Sequence, residues 1–179
     1  FISSHSTTTS EHRFIRSDQP EADFKIIQTR TTGLEYDVAH FGDHFYLHTN
    51  FNGATNFQIM RTAIDQTSSE FWEPLLPHRK DVLIEDVKLF DQYWVVNERE
   101  NGLSRLRIMR WNNTTDYYLP IDEETYTLHI SINPEFKSTQ LRYVFNSLTT
   151  PSSVIEFDML SQQKTILKTQ EVLGDVFDP

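Results

Sequence analysis

Short apolar runs such as Phe45-Tyr46-Leu47, Tyr93-Trp94-Val95-Val96 and Leu141-Arg142-Tyr143-Val144-Phe145 recur along the chain. They are rich in β-branched and aromatic residues, and turn-forming residues cut them off every 8–12 positions or so, the pattern of an all-β protein. No window sustains the three-to-four spacing of an amphipathic helix. Asn52-Gly53 returns 49 residues later as Asn101-Gly102, and Ile59-Met60-Arg61 returns at the same spacing as Ile108-Met109-Arg110. Self-similarity at about 40–50 residues, carried on strand-like segments, is the mark of a β-propeller in which one repeat is one four-stranded blade. Residues that repeat in this way are packing residues, so they are expected to build a scaffold and not to perform chemistry.

Walking the repeats in parallel predicts their strands. Residues 34–41 and 82–90 are first strands, 45–49 and 93–97 second strands, and 57–62 and 106–111 third strands. Each second strand runs towards its Asn-Gly, the strongest short-range hairpin signal, because both residues tolerate positive φ. The fourth strands, 72–78 and 117–121, carry Pro74, Pro77 and Pro120. Proline has no N–H to donate, so these strands belong on an outer sheet edge. A third repeat uses 126–133, 141–145, 154–158 and 165–168, with a turn at Thr150-Pro151. Before it all lie three shorter stretches, 1–6, 11–18 and 24–30. The fold expected is therefore a partial β-propeller of about three full four-stranded antiparallel blades plus a three-strand remnant. Its boundaries are 1–30 for the incomplete blade, 31–80, 81–122 and 123–171 for the blades, and 172–179 for the start of a linker. Blades pack face to face, which explains strands such as Tyr93-Trp94-Val95-Val96 that are apolar on both sides. Thirteen Phe, seven Tyr and three Trp supply the bulk for wedge-shaped gaps.

Charge narrows the function classes. Sixteen Lys and Arg against 26 Asp and Glu leave a formal charge of −10. That disfavours nucleic acid, which needs a basic stripe, and anionic membranes, which attract polybasic segments. Cysteine is absent, so no disulfide frame and no thiolate nucleophile is available, and a cytoplasmic location is expected. No apolar run reaches the roughly 20 residues of a membrane span. The opening Phe1-Ile2-Ser3-Ser4 reads as a strand already under way.

His40, His44 and His48 stand at i, i+4 and i+8, which on a helix would converge on a metal. Gly42-Asp43 and the β-rich flanks place them on a strand–turn–strand instead. There His44 and His48 lie roughly 13 Å apart, so no metal ligand is assigned. No Gly-x-Ser-x-Gly elbow, His-Glu-x-x-His or phosphate-cradling loop is present. No residue is therefore given a catalytic, cofactor-binding or metal role, and no cofactor is expected. Glu35 with Asp37, Glu85-Asp86 and Asp122-Glu123-Glu124 are acidic clusters. The first two fall on candidate innermost strands, where polar side chains facing an axial water channel are the plain reading and attraction of cations the functional one. Asn112-Asn113-Thr114-Thr115 holds overlapping glycosylation sequons, informative only for a secreted protein.

Three blocks resemble the propeller of the prolyl oligopeptidase family of serine peptidases, in its oligopeptidase B (protease II) branch. They are Leu34-Glu35-Tyr36-Asp37 continuing through Asp43-His44-Phe45-Tyr46-Leu47-His48-Thr49-Asn50, then Val95-Val96-Asn97-Glu98-Arg99-Glu100-Asn101-Gly102-Leu103, and Leu141-Arg142-Tyr143 followed by Ser147-Leu148-Thr149-Thr150-Pro151. Leu167-Lys168 with Glu171-Val172-Leu173-Gly174 is similar to the stretch leading out of that propeller, although proline is usual where Leu173 stands. The resemblance implies a propeller capping an α/β-hydrolase domain that carries the Ser, Asp and His triad outside this chain. It implies oligopeptide substrates cut after Arg or Lys, with the propeller excluding folded proteins. A stand-alone propeller-like binding or scaffold module is the alternative, and the sequence following Pro179 distinguishes them. Taken alone, an arc of blades with uncovered apolar faces is expected to self-associate and to lack peptidase activity.

Overall fold

The computed structural model describes residues 1–172. The chain is all-β, with 3-10 turns at Phe51–Gly53 and Ser69–Phe71. It divides into two compact units, Phe1–Asp86 and Val87–Pro179. A three-stranded sheet holds β1 (Ile2–Ser6), β2 (Thr9–Phe14) and β3 (Lys25–Ile26) in that order. The next sheet runs β4 (Tyr36–Phe41), β5 (His44–Thr49), β6 (Gln58–Ala63) and β7 (Glu73–Leu76). The third runs β8 (Val82–Leu89), β9 (Tyr93–Glu100), β10 (Leu103–Arg110) and β11 (Asp116–Tyr118). The last runs β12 (Tyr126–Ile130), β13 (Gln140–Ser147), β14 (Ser153–Asp158) and β15 (Lys164–Thr169). Each sheet is an up-and-down meander of chain neighbours. The fold is a partial β-propeller.

The repeated residues occupy equivalent places. Ile59 pairs with His48 and Ile108 with Val95, and both isoleucines are wholly buried. Met60 and Met109 follow them into the core, while Arg61 reaches Glu73 and Arg110 lies over the Tyr93 ring. The two Asn-Gly pairs differ in setting. Asn101 and Gly102, at φ of 50° and 83°, close the β9–β10 hairpin directly, with Leu103 opposite Glu100. Asn52 and Gly53 have the same positive φ, and their turn is closed by the Ala54 N–H on the Phe51 carbonyl. Yet β5 has already ended at Thr49 and β6 begins only at Gln58. Side chains take over the ladder there. Thr49 Oγ1 accepts the Phe51 N–H, Asn50 Oδ1 accepts the Glu35 N–H, and Gln58 donates to the Phe51 carbonyl.

The prolines lie where their missing donor costs least. Pro74 is in β7, the last strand of its sheet, and the β6–β7 register slips between Ile59 and Met60, so that Leu76 and Pro74 face adjacent residues. That is a bulge at an edge, a usual home for proline. The first strand of the third repeat is shorter than its sequence suggests, because the Asn133 amide substitutes for backbone pairing: it donates to the Ser131 and Arg142 carbonyls and accepts the Arg142 N–H. β3 is also reduced to Lys25 and Ile26, although Ile27 beyond it remains buried and bonds to the His12 carbonyl.

Each unit has its own core. In the first, Ile27, Leu34, Tyr36, Phe45, Leu47, Met60 and Trp72 pack together. In the second, Phe90, Tyr93, Val95, Leu106 and Ile108 pack with Leu128, Leu141, Tyr143, Ile155 and Phe157. The strands β5 and β9 are buried on both faces along most of their length, as sheets covered on two sides require. β13 and β14 alternate buried with half-buried residues, and every residue of β15 is exposed. The linker expected at 172–179 falls, apart from Val172, outside the described residues.

Candidate functional site

Among the described residues, three of the places where the fold draws polar groups inward involve ionisable side chains. Within the first unit, β2 and β4 meet around His12 and Tyr36. The His12 main-chain N–H donates to the Tyr36 hydroxyl at 3.0 Å, and that hydroxyl donates to the Gln28 carbonyl at 3.0 Å. The His12 ring closes the loop, its Nε2–H donating to the Tyr36 carbonyl at 2.7 Å and its Nδ1 accepting from Ser3 Oγ at 2.9 Å. Asp37 Oδ1 stands 3.8 Å from the same Nε2, and the His5 ring packs edge-on at 5.2 Å. His5, His12 and Asp37 thus bring one donor atom each within 4.8 Å of one another. A metal needs a free imidazole lone pair. His12 has none to give, since one nitrogen carries the proton bonded to a carbonyl and the other accepts a hydroxyl. His12 with Tyr36 is a hydrogen-bonded joint between two sheets.

His48 forms the second place. It stacks on Phe57 at 4.5 Å and donates from Nε2 to the Ile84 carbonyl at 2.8 Å. The three histidines singled out by their spacing therefore part company. His40 is exposed, His44 is half-buried, and His48 is core. Gly42, at φ 58°, turns the chain between β4 and β5, and the three rings do not gather at one point. Burial lowers the pKa of both His12 and His48, with the carbonyl hydrogen bonds and Asp37 opposing it in part. An unfolded-chain histidine titrates near 6.5. Between that value and the lowered folded ones, the unfolded chain binds more protons, so stability rises with pH and is lost as pH falls below about 6.5. We expect the melting temperature to drop between pH 7 and pH 5, and to drop less in a His12→Asn, His48→Gln double variant. Equal slopes in circular-dichroism melts would contradict this assignment.

The third place is in the second unit and was not singled out from sequence. Glu98, only 1% exposed, accepts from the Tyr118 hydroxyl at 2.8 Å, with Arg107 at 3.8 Å. Arg107 also forms a two-pronged pair with Asp116, and Arg105 lies 3.7 Å over the Tyr118 ring. The signal was present: once Asn101-Gly102 fixes the hairpin, Glu98 falls opposite Arg105 and Arg107 opposite Tyr118. Of the acidic clusters, Asp37 and Asp86 are exposed, and Glu123 accepts from Thr149 and Thr150. Hydrogen bonds from Ser147 and Thr150 hold the Glu123 carboxyl below its ordinary range. The sequons occupy an exposed turn, where Asn112 Oδ1 accepts from Thr114.

Four antiparallel meander sheets, in which the His12, His48 and Glu98 side chains join strands, define a propeller module. The family model described as "Prolyl oligopeptidase, N-terminal beta-propeller domain" matches residues 1–170, and the chain belongs to that family. Dipeptidyl aminopeptidase BI of Pseudoxanthomonas mexicana is 38% identical over 173 residues, 97% of this chain and 24% of that protein. Protease 2 of Moraxella lacunata is 26% identical over 175 residues, 98% of this chain and 25% of that protein. The solved structure of oligopeptidase B from Leishmania major superposes with a TM-score of 0.88 at 27% identity, over 98% of this chain and 26% of that one. The chain thus spans about a quarter of the length of its relatives. No described helix is long and apolar enough to cross a membrane.

Proposed function

We propose that this chain is part of the propeller of a cytoplasmic serine oligopeptidase and controls access to a catalytic domain carried elsewhere in the protein. The observation that carries this reading is the family match from residue 1 to residue 170. It is supported by what the buried polar groups do: both His12 nitrogens, the His48 Nε2 and the Glu98 carboxylate are already engaged in joining strands. A triad needs a base free to take a proton from its nucleophile, and none of these side chains is. A wall of packed sheets would admit short flexible peptides, exclude folded proteins and limit water at the chemistry. Each four-stranded sheet serves as one blade. Cleavage after Arg or Lys is what the resemblance to the oligopeptidase B branch implies. Removal of N-terminal dipeptides is a second reading, favoured by the 38% identity to a dipeptidyl aminopeptidase.

The full-length protein is expected to hydrolyse short peptide amides and to be labelled by a serine-directed phosphonate. The chain of residues 1–179 alone is expected to do neither. N-acetylated arginyl substrates cut as well as free ones support endopeptidase action, while a strict need for a free α-amine supports the dipeptidyl reading. Inhibitor-titratable turnover by residues 1–179 would overturn the placement of chemistry outside this chain.

The isolated chain is further expected to self-associate. β15 is an edge strand with Ile166 and Leu167 exposed, and Leu160 lies exposed just before it. A few hundred Å² of apolar surface at about 25 cal/mol/Å² gives on the order of 5–10 kcal/mol of gross driving force. A monomeric mass by light scattering at high micromolar concentration would count against it.

A further inference from the structure

The turn between β13 and β14 carries the most exposed large apolar side chain among the described residues: Leu148 is 94% exposed. An exposed leucine is by itself ordinary. This one sits in a turn that is fastened from several sides. The Ser147 N–H donates to the Thr150 carbonyl at 3.0 Å, and Ser147 Oγ accepts the N–H groups of Thr149 and Thr150 at 3.1 and 2.9 Å. The Thr149 and Thr150 hydroxyls both donate to the Glu123 carboxylate, at 3.2 and 2.9 Å. Ser153 Oγ donates to the Pro151 carbonyl at 2.8 Å, and the proline ring narrows the backbone of Thr150 as well as its own.

The corresponding turns of the two preceding sheets present no such side chain. Asn101-Gly102 closes β9–β10 without an apolar residue, and in the β5–β6 connection Phe51 packs against Trp72 at 5.2 Å. A hairpin therefore does not need an outward leucine, and the polar net around Leu148 fixes its place before anything meets it. Ordering a loop on contact is one of the costs of association, and a preset side chain avoids it.

The exit of the chain points to the occupant. After β15 the Gln170 N–H donates to the Ser152 carbonyl at 2.8 Å, and the Thr169 hydroxyl accepts from Ser153 Oγ at 3.1 Å. The chain thus leaves the last sheet beside the Leu148 turn, and it spans only about a quarter of the length of its relatives. We propose that Leu148 is a fixed anchor seated in an apolar socket on the catalytic domain of the same protein, which rests on the reading above that such a domain exists. The anchor sets where the propeller closes on that domain, and Glu123 keeps the turn in shape for it.

The test is hydrogen exchange, read by mass spectrometry on the full-length protein. Leu148→Asp is expected to speed exchange by about five-fold or more in a segment outside residues 1–179, where the covering contact is lost. Within residues 1–172 only the turn should change, since Leu148 supports nothing in its own sheet. Leu148→Met keeps an apolar side chain of similar volume and should retain the parent pattern. Unaltered exchange outside residues 1–179 in Leu148→Asp would overturn the proposal. So would an equal response to Leu160→Asp, placed in the β14–β15 turn at the other end of the sheet. Labelling by the serine-directed phosphonate reads the peptidase assignment separately. A labelled protein with no exchange response loses the anchor alone, and an unlabelled one with the response loses the peptidase reading instead.

Discussion

Tyr36→Ala is expected to destabilise the protein by about 3–5 kcal/mol, the cost of emptying a large aromatic site in a packed core. Tyr36 is 1% exposed. Its ring packs on His12 at 4.8 Å and on Trp72 at 5.5 Å, so it joins β2, β4 and the segment leading into β7. Its hydroxyl both accepts the His12 N–H and donates to the Gln28 carbonyl. Burial accordingly raises the pKa of the phenol. Tyr36→Phe keeps the ring and strands those two backbone groups, so it should cost less, about 1–3 kcal/mol. For a chain of this size each kcal/mol moves the melting temperature by about 2–4 °C. The alanine variant should therefore melt on the order of 10 °C lower. An alanine variant within about 1 kcal/mol of the parent would mean that something else holds β2 against β4.

Arg107→Met is the second large effect, at about 3–5 kcal/mol, because it takes away a guanidinium that lies 3.8 Å from the buried Glu98 carboxylate. The arginine's other partner, Asp116, is half exposed and tolerates the loss, since water can solvate it. Asp116 is also the main reason the Arg107 pKa is raised. The diagnostic measurement is a double-mutant cycle. Glu98→Gln retains an acceptor for the Tyr118 hydroxyl and removes the buried charge, so adding it to Arg107→Met should recover part of the loss. Strictly additive effects in denaturant melts would show that the two residues do not act as a pair.

Much of the fold was readable because it rests on local chemistry. Positive φ at Asn101-Gly102, proline on edge strands and the recurrence of Ile-Met-Arg are decided within a few residues of themselves. The parts that escaped depend on distant partners. Nothing near His48 announces that its proton goes to the Ile84 carbonyl, and nothing near His12 announces Tyr36. Likewise, the loop around Asn52 keeps its turn while losing the hairpin, because Asn50 finds Glu35 fifteen residues back. Glu98 lay between these cases. Its cross-strand neighbours followed from the turn, but its depth followed only from packing.

The outer edges of the four-stranded sheets are defended by different means. Pro74 lies within β7, Pro120 follows β11, and β15 relies on Lys164 and Lys168. Like units strung on one polypeptide are prone to exchanging parts as they emerge during synthesis. A proline forbids that trade by removing a donor, at any salt concentration. A lysine forbids it by repulsion, which salt weakens. Misassembly between sister repeats should therefore begin at the lysine-guarded border and grow with ionic strength.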